Sequence, residues 1–205
     1  MRLLMSSRSA APVRGALVGG VVLATALFVA GCSSSDDGSS AASSAAESAE
    51  TTAAAATSTI AGQDGADEGG STSVDVPVGA CVNLSGTIMN AEVVEAPCGS
   101  MESNYRVASK VEQNQNCPGD ADQVYYETLN GVEMGALCLD TDWVVGGCMS
   151  VPMMQPATRV DCADPAATSV ERVTAILENT SSAQECATSG YEYTERNFVV
   201  CTESV

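Results

Sequence analysis

No histidine occurs anywhere in the 205-residue chain. That absence removes Ser-His and Cys-His nucleophile pairs, the usual zinc ligand sets and the commonest proton shuttle near neutral pH. Enzymes can run on carboxylates alone, so the exclusion is of these chemistries and not of all catalysis. Basic residues are nearly as scarce. The eight are Arg2, Arg8, Arg14, Arg106, Lys110, Arg159, Arg172 and Arg196, against 26 acidic ones. Nucleic acid and electrostatic docking on anionic lipid both need clustered Lys and Arg, and the chain offers neither a basic run nor a basic face. Aromatics make up 4% of the residues, so any core is short of large side chains. No two cysteines are spaced Cys-x-x-Cys, which weighs against a metal knuckle or a redox pair.

What is present begins with a leader. Arg2, Arg8 and Arg14 precede an apolar run from Ala16 to Ala30, and Val29-Ala30-Gly31-Cys32 closes it. A charged start, an apolar middle and small residues before the cut are the order of a secretory signal peptide. The run is shorter than the roughly 20 residues a spanning helix needs. The small-small-Cys ending resembles the lipobox of bacterial lipoproteins. That resemblance implies diacylglycerol, with acyl chains such as palmitate, on the Cys32 sulfur and a mature chain starting at Cys32. Removing residues 1–31 leaves five basic residues against 26 acidic ones, a net charge of −21. The membrane hold must then come from lipid, and two acyl chains meet the two-signal requirement for stable anchoring. The expected location is the cell membrane, lipid-anchored on the extracytoplasmic face.

From Ser33 to Pro77 the chain turns to Ser, Ala, Thr, Gly and acids without Lys, Arg or an aromatic. Such a composition cannot bury enough apolar surface to offset its ordering entropy. The sequence predicts a disordered tether over 32–77.

The remainder reads as one unit written twice, 78–143 and 144–205. Val78-Gly79-Ala80-Cys81-Val82 returns as Val145-Gly146-Gly147-Cys148-Met149, and Ala136-Leu137-Cys138-Leu139 as Val199-Val200-Cys201-Thr202. Arg106-Val107 returns as Arg172-Val173, and Tyr126-Glu127-Thr128 is aligned with Tyr193-Thr194-Glu195. Each half owns four cysteines: Cys81, Cys98, Cys117 and Cys138, then Cys148, Cys162, Cys186 and Cys201. An even set on an exported chain predicts disulfides, paired most simply within each half, with three connectivities per half left open. Modules of this size are marginal on core burial alone, so bridges fit the shortage.

Within the halves, Val107, Ser109 and Val111 alternate with Arg106, Ala108 and Lys110, which predicts a strand with one face inward and the other in water. Asn130-Gly131 predicts a tight hairpin, because both turn positions need positive φ. Arg196-Asn197 predicts a tighter turn in the second copy, and Ser181–Ala187 hints at a short helix. The fold class expected is α+β, β-dominated, with two tandem disulfide-braced modules.

The motifs Cys81-Val82-Asn83-Leu84, Glu102-Ser103-Asn104-Tyr105, Tyr125-Tyr126-Glu127-Thr128, Asp142-Trp143-Val144-Val145-Gly146 and Phe198-Val199-Val200-Cys201 look like those of the actinobacterial LppU-type lipoproteins. The resemblance covers most of Val78–Val205 plus the lipobox. It implies an envelope lipoprotein and brings no catalytic residues with it. The order Gly-x-Cys then Cys more distantly resembles small domains of actinobacterial septum-formation proteins, whose Pro-His is replaced here by Gly99-Ser100-Met101.

Candidate contacts follow from the repeat. Arg106 and Arg172 could anchor a carboxylate or phosphate, although pairing with Glu127 and Glu195 across strands is the simpler reading. Tyr126, Tyr193 and Trp143 could form a platform for a sugar or peptide, or serve as core. Asp120 with Asp122, and Asp140 with Asp142, could hold calcium, but neither continues as an EF-hand loop. The function expected is a non-enzymatic module with no cofactor that binds an envelope protein or glycan. A cation or small-ligand carrier is the alternative, and a carboxylate-based hydrolase the third reading.

Overall fold

The computed structural model describes residues 2–7, 13–14, 60–153 and 155–205. The apolar run, Cys32 and the tether through residue 59 lie outside the described residues. Among the described residues twelve strands run in chain order: β1 (Arg2–Ser7), β2 (Val13–Arg14), β3 (Cys81–Thr87), β4 (Asn90–Ala96), β5 (Tyr105–Val111), β6 (Gln123–Leu129), β7 (Val132–Thr141), β8 (Cys148–Ser150), β9 (Thr158–Val160), β10 (Val170–Glu178), β11 (Ser189–Tyr193) and β12 (Phe198–Ser204). Short 3-10 turns at Asn114–Asn116 and Ala183–Glu185 are the sole helical elements among the described residues, so the helix hinted at in Ser181–Ala187 shrinks to one such turn. The fold is β-dominated.

The two halves build the same object. The first forms an antiparallel sheet in the order β6-β7-β5-β3-β4, the second one in the order β11-β12-β10-β8-β9, and the N-terminal strands β1 and β2 lie along the outer edges of β6 and β11. In both, the fourth-listed strand pairs its first cysteine with the arginine of the central strand: Cys81↔Arg106 and Cys148↔Arg172. A register shift follows one residue later in both central strands, between Val107 and Ser109 and between Val173 and Ala175. A repeated bulge is a designed feature, because each one bends the strand and strengthens its twist. The bridges repeat as well: Cys81–Cys98 and Cys117–Cys138 in the first half, Cys148–Cys162 and Cys186–Cys201 in the second. All eight expected cysteines are used, and each half closes its own two bridges.

Three expectations need correction. The first concerns the start of the folded part. Ile60, Gln63 and Val76 are buried, and residues 65–68 run beside β5, with hydrogen bonds from Gly65 N to Ala108 O (2.7 Å) and from Glu68 N to Lys110 O (2.8 Å). The folded part therefore begins near Ile60 and not at Val78. Composition failed here because β3 pairs with β5 only through Cys81 and Val82, which leaves the backbone of the rest of β5 open to a polar segment. Such a segment needs few apolar side chains when its backbone supplies the bonds.

The second is the alternation in β5. Every residue there except Lys110 is buried; on the side expected to face water, Arg106 is bound to Asp64 and Lys110 to Asp67 and Asp75, all from the segment before β3.

The third is the alignment of the hairpins. Cys138 and Cys201 are equivalent, and their partners on the neighbouring strands are Val124 and Gly190. Tyr125 thus corresponds to Tyr191, Tyr126 to Glu192 and Glu127 to Tyr193. A one-residue slip exchanges sheet faces, so Tyr126 and Tyr193 are not counterparts. The turns differ for a related reason. Leu129 and Val132 flank Asn130-Gly131, with φ of 54° and 82°, as expected for a two-residue turn. In the second copy Tyr193 pairs with Phe198 across a four-residue loop, so that turn is longer rather than tighter. Its one left-handed residue is Asn197, φ 57°.

One hydrophobic core joins the halves. Leu84, Tyr105, Leu137 and Trp143 from the first pack with Met149, Val173, Tyr193 and Phe198 from the second, and Ile60 and Val76 belong to the same cluster. A smaller cluster surrounds the Cys117–Cys138 bridge, and another surrounds Cys201.

Candidate functional site

Few basic residues follow residue 31, and most are spent on internal acids. Arg106 is bidentate to Asp64, Nε to Oδ1 at 3.0 Å and Nη2 to Oδ2 at 2.8 Å, and not paired with Glu127. Arg172 pairs with Glu203 at 3.2 Å on a half-exposed surface and not with Glu195. The ion-pair reading holds in kind, with different partners. Asp64 lay in the segment read as tether, and Glu203 is the counterpart of Asp140, opposite the arginine in both sheets. Glu127 is buried and accepts hydrogen bonds from Ser73 N (2.9 Å), the Ser73 hydroxyl (2.5 Å) and the Tyr125 hydroxyl (2.7 Å). Glu195 accepts from Gly119 N at 2.8 Å.

The aromatics proposed as a platform separate. Trp143 and Tyr193 are core, the indole N–H donating to the Tyr193 hydroxyl at 2.8 Å, and Tyr193 stacks on Phe198 with ring centroids 4.2 Å apart. Tyr126 is half-buried against the Cys117–Cys138 cluster on another face. No shared platform is built from them.

A residue missed in the sequence organises the contact between the halves. The loop after β11 carries Arg196 into the first half, where its guanidinium takes Asp140 through two bonds (2.5 and 2.8 Å) and Asp120 through Nε (2.9 Å). Asp122 accepts from the Tyr193 hydroxyl and from Thr141 N, both at 2.7 Å. Asp142 accepts from Gly99 N (2.7 Å), the Ser103 hydroxyl (2.6 Å) and Arg159 Nη2 (3.0 Å). Both Asp-x-Asp pairs thus hold protein donors. The group with metal-ligand spacing, Cys81, Cys98 and Asp142, has both sulfurs in a disulfide. The signal for Arg196 was available: of the five basic residues after residue 31, one stood in a hairpin loop.

Burial dominates the electrostatics. It pushes the Asp140 carboxyl up to about 7 against the pull of Arg196, with Asp122 pushing the same way. Burial likewise raises Asp122, against hydrogen bonds from Thr141 and Tyr193. Burial disfavours the Arg196 charge, but Asp140 and Asp120 outweigh it and hold the guanidinium protonated. The folded chain thus keeps a proton on Asp140 that the unfolded chain loses near its ordinary value of about 3.9. Asp140 contributes stability fully below that value, and the contribution is lost as pH rises through about 7. We expect the urea midpoint of the wild type to fall between pH 4.5 and pH 8 relative to that of Asp140→Asn. Parallel pH profiles for the two chains would refute the assignment.

An open concave feature lies elsewhere. A groove of about 650 Å³ runs between the β3–β4 hairpin and residues 155–158 of the second half, with Ile88, Met89, Gln155 and Pro156 among its lining. Ile88 and Met89 form the hairpin tip and are 62% and 65% exposed. Gly86 permits that tip: its φ is 87°, and a Cβ there would lie 2.2 Å from the Asn90 carbonyl oxygen. The floor is closed by Asn104. It accepts from Leu84 N at 2.7 Å and donates to Leu84 O (2.8 Å) and Ala157 O (3.0 Å). Ala157 N in turn donates to the Tyr105 hydroxyl at 2.7 Å. The groove therefore exists because the halves pack together. Its described lining is apolar and amide- or hydroxyl-bearing, without an acid. Comparison with protein-family models, curated proteins and solved structures finds no match.

Proposed function

We propose that this chain is a lipid-anchored cell-envelope protein, held through Cys32 on the extracytoplasmic face, whose duplicated β fold is a non-enzymatic binding module. The observation that carries the reading is the groove between the halves. Exposed apolar side chains at its rim, with amides and hydroxyls beside them, suit the mixed apolar and polar surface of an envelope glycan or peptide. The net charge of the mature chain, −21, favours neutral or basic ligands over anionic ones. The resemblance to LppU-type lipoproteins supports the location. Binding is favoured over carboxylate catalysis because Asp122 and Asp140 lie under Tyr193 and Arg196 and not in the groove. Calcium carriage is less favoured, since those oxygens already hold donors.

The test has two arms. Cys32→Ser should stop incorporation of labelled fatty acid and release the protein from the detergent phase, because only the thiol carries the thioether. Disaccharide-peptide fragments of the cell wall, titrated into the mature chain, should shift the NMR signals of Thr87–Met89 and 155–158. Ile88→Asp with Met89→Asp should weaken that binding at least tenfold while leaving the fold intact, as both side chains are exposed. Shifts confined to other surfaces, or unchanged affinity in the double variant, would remove the groove from the reading.

A further inference from the structure

The first sheet ends at β6, and the neighbour on its outer edge is a piece of the leader. β1 pairs antiparallel with β6 over six residues, from Arg2↔Thr128 to Ser7↔Gln123. The same strand also lies beside β4, at the opposite end of the sheet order. It thus fills the gap between the two edges. If the leader is removed on export, as the lipoprotein reading requires, β6 loses the six-residue backbone partner that β1 supplies.

Natural edges are usually guarded by proline, lysine or an inward-pointing charge. Gln123-Val124-Tyr125-Tyr126-Glu127-Thr128-Leu129 has no proline and no lysine, and its one charged side chain, Glu127, is buried and occupied by Ser73 and Tyr125. On the second sheet the corresponding pairing is short, β2 meeting β11 only at Ser189 and Gly190, so that edge shows no six-residue guest. Beside the far end of β6 is a pocket of about 230 Å³, with Thr72, Glu127, Leu129 and Met134 in its lining. Leu129 and Val132 at the adjoining turn are 50% and 65% exposed. A paired backbone edge next to an apolar hollow is the arrangement by which sheets take up peptide strands, the backbone giving affinity and the hollow giving selectivity.

We propose that, in the mature protein, the β6 edge is a strand-addition site for an extended segment of a partner protein. The segment lies antiparallel to β6, is neutral or basic in charge, and places an apolar side chain near Thr128 and Leu129. The leader strand shows that the edge accepts six residues in that sense, and the acidity of the mature chain selects against an acidic guest and against a second copy of itself. The proposal rests on leader removal. It is separable from the anchoring and groove readings, because the test chain begins at residue 32 by design.

The probe is the peptide Met1–Arg8 added to the mature chain carrying Cys32→Ser, followed by fluorescence anisotropy and amide hydrogen exchange. We expect saturable binding, at least tenfold slower exchange at alternate amides of Gln123–Leu129, and loss of both when the peptide backbone is N-methylated with its side chains kept. No binding, protection elsewhere, or equal binding of the methylated peptide would overturn the proposal. Dimers of the mature chain with protected β6 amides would overturn it too, since the edge would then belong to a second copy.

Discussion

At pH 8, where Asp140 has given up its proton, Arg196→Met is expected to destabilise the protein by about 3–5 kcal/mol, the range for breaking a buried ion pair by removing one partner. The Arg196 side chain is 9% exposed, and its partners Asp140 and Asp120 are 0% and 6% exposed. Removal of the cation leaves two carboxylates buried in a place where Asp122 is also buried. It also removes the guanidinium from above the Tyr193 and Phe198 rings, 5.1 and 5.5 Å from their centroids. Arg172→Met is the control. That pair is about 40% exposed on both sides, so solvent screening limits its worth to at most about 1 kcal/mol. Urea unfolding of the two variants measures the contrast. Equal, small losses would show that the acids relax into water and that Arg196 does not hold the halves together.

The second large effect belongs to the Cys117–Cys138 bridge. Its sequence separation is 21, for which the chain-entropy account gives about 3 kcal/mol. Both sulfurs are buried within the cluster of Val111, Ala121, Val124 and Ala136, so Cys117→Ala with Cys138→Ala also loses packing there. The Cys148–Cys162 bridge spans 14 residues, and Cys162 is only half-buried. Its loss should cost less, close to the loop term alone. In both double variants the halves should unfold together, because one core runs through them. Trp143 fluorescence and far-UV circular dichroism should therefore trace a single transition at a lowered midpoint. Two separated transitions would mean that each half is its own cooperative unit.

Much of this architecture was legible in the sequence because local chemistry specified it. Asn130-Gly131 can satisfy two positive φ angles where few other pairs can, and the structure turns there. Four cysteines recurring in the same relation to the same strand motifs predicted bridges within each half, and the pairing follows. The arginine of each central strand recurs opposite an acid on the next strand, Asp140 or Glu203, but only Arg172 pairs with that acid, and Arg106 takes Asp64. Those partners could be named only from the structure.

Where the reading missed, the deciding information was a distant surface. Residues 60–77 carry a composition that cannot fold by itself, yet they pair with the part of β5 that β3 leaves open and bring Asp64 to Arg106. Tyr126 and Tyr193 look alike in an alignment of the halves, but the hydrogen-bond register shifts one against the other and sends them to different clusters. The groove is made of a hairpin tip from one half and residues 155–158 from the other.

The sequence alone determined the strand-rich class, the duplication, the closed set of eight cysteines and the chemistries that a chain without histidine cannot perform. Those depend on residue type and short spacing, which the chain carries locally. The tertiary structure decided which acids meet Arg106 and Arg196, where the folded part begins, which aromatics are core, and where a groove and an open sheet edge lie. Each of those depends on contacts between residues tens of positions apart, and backbone pairing and burial fix such contacts only when the whole fold is assembled.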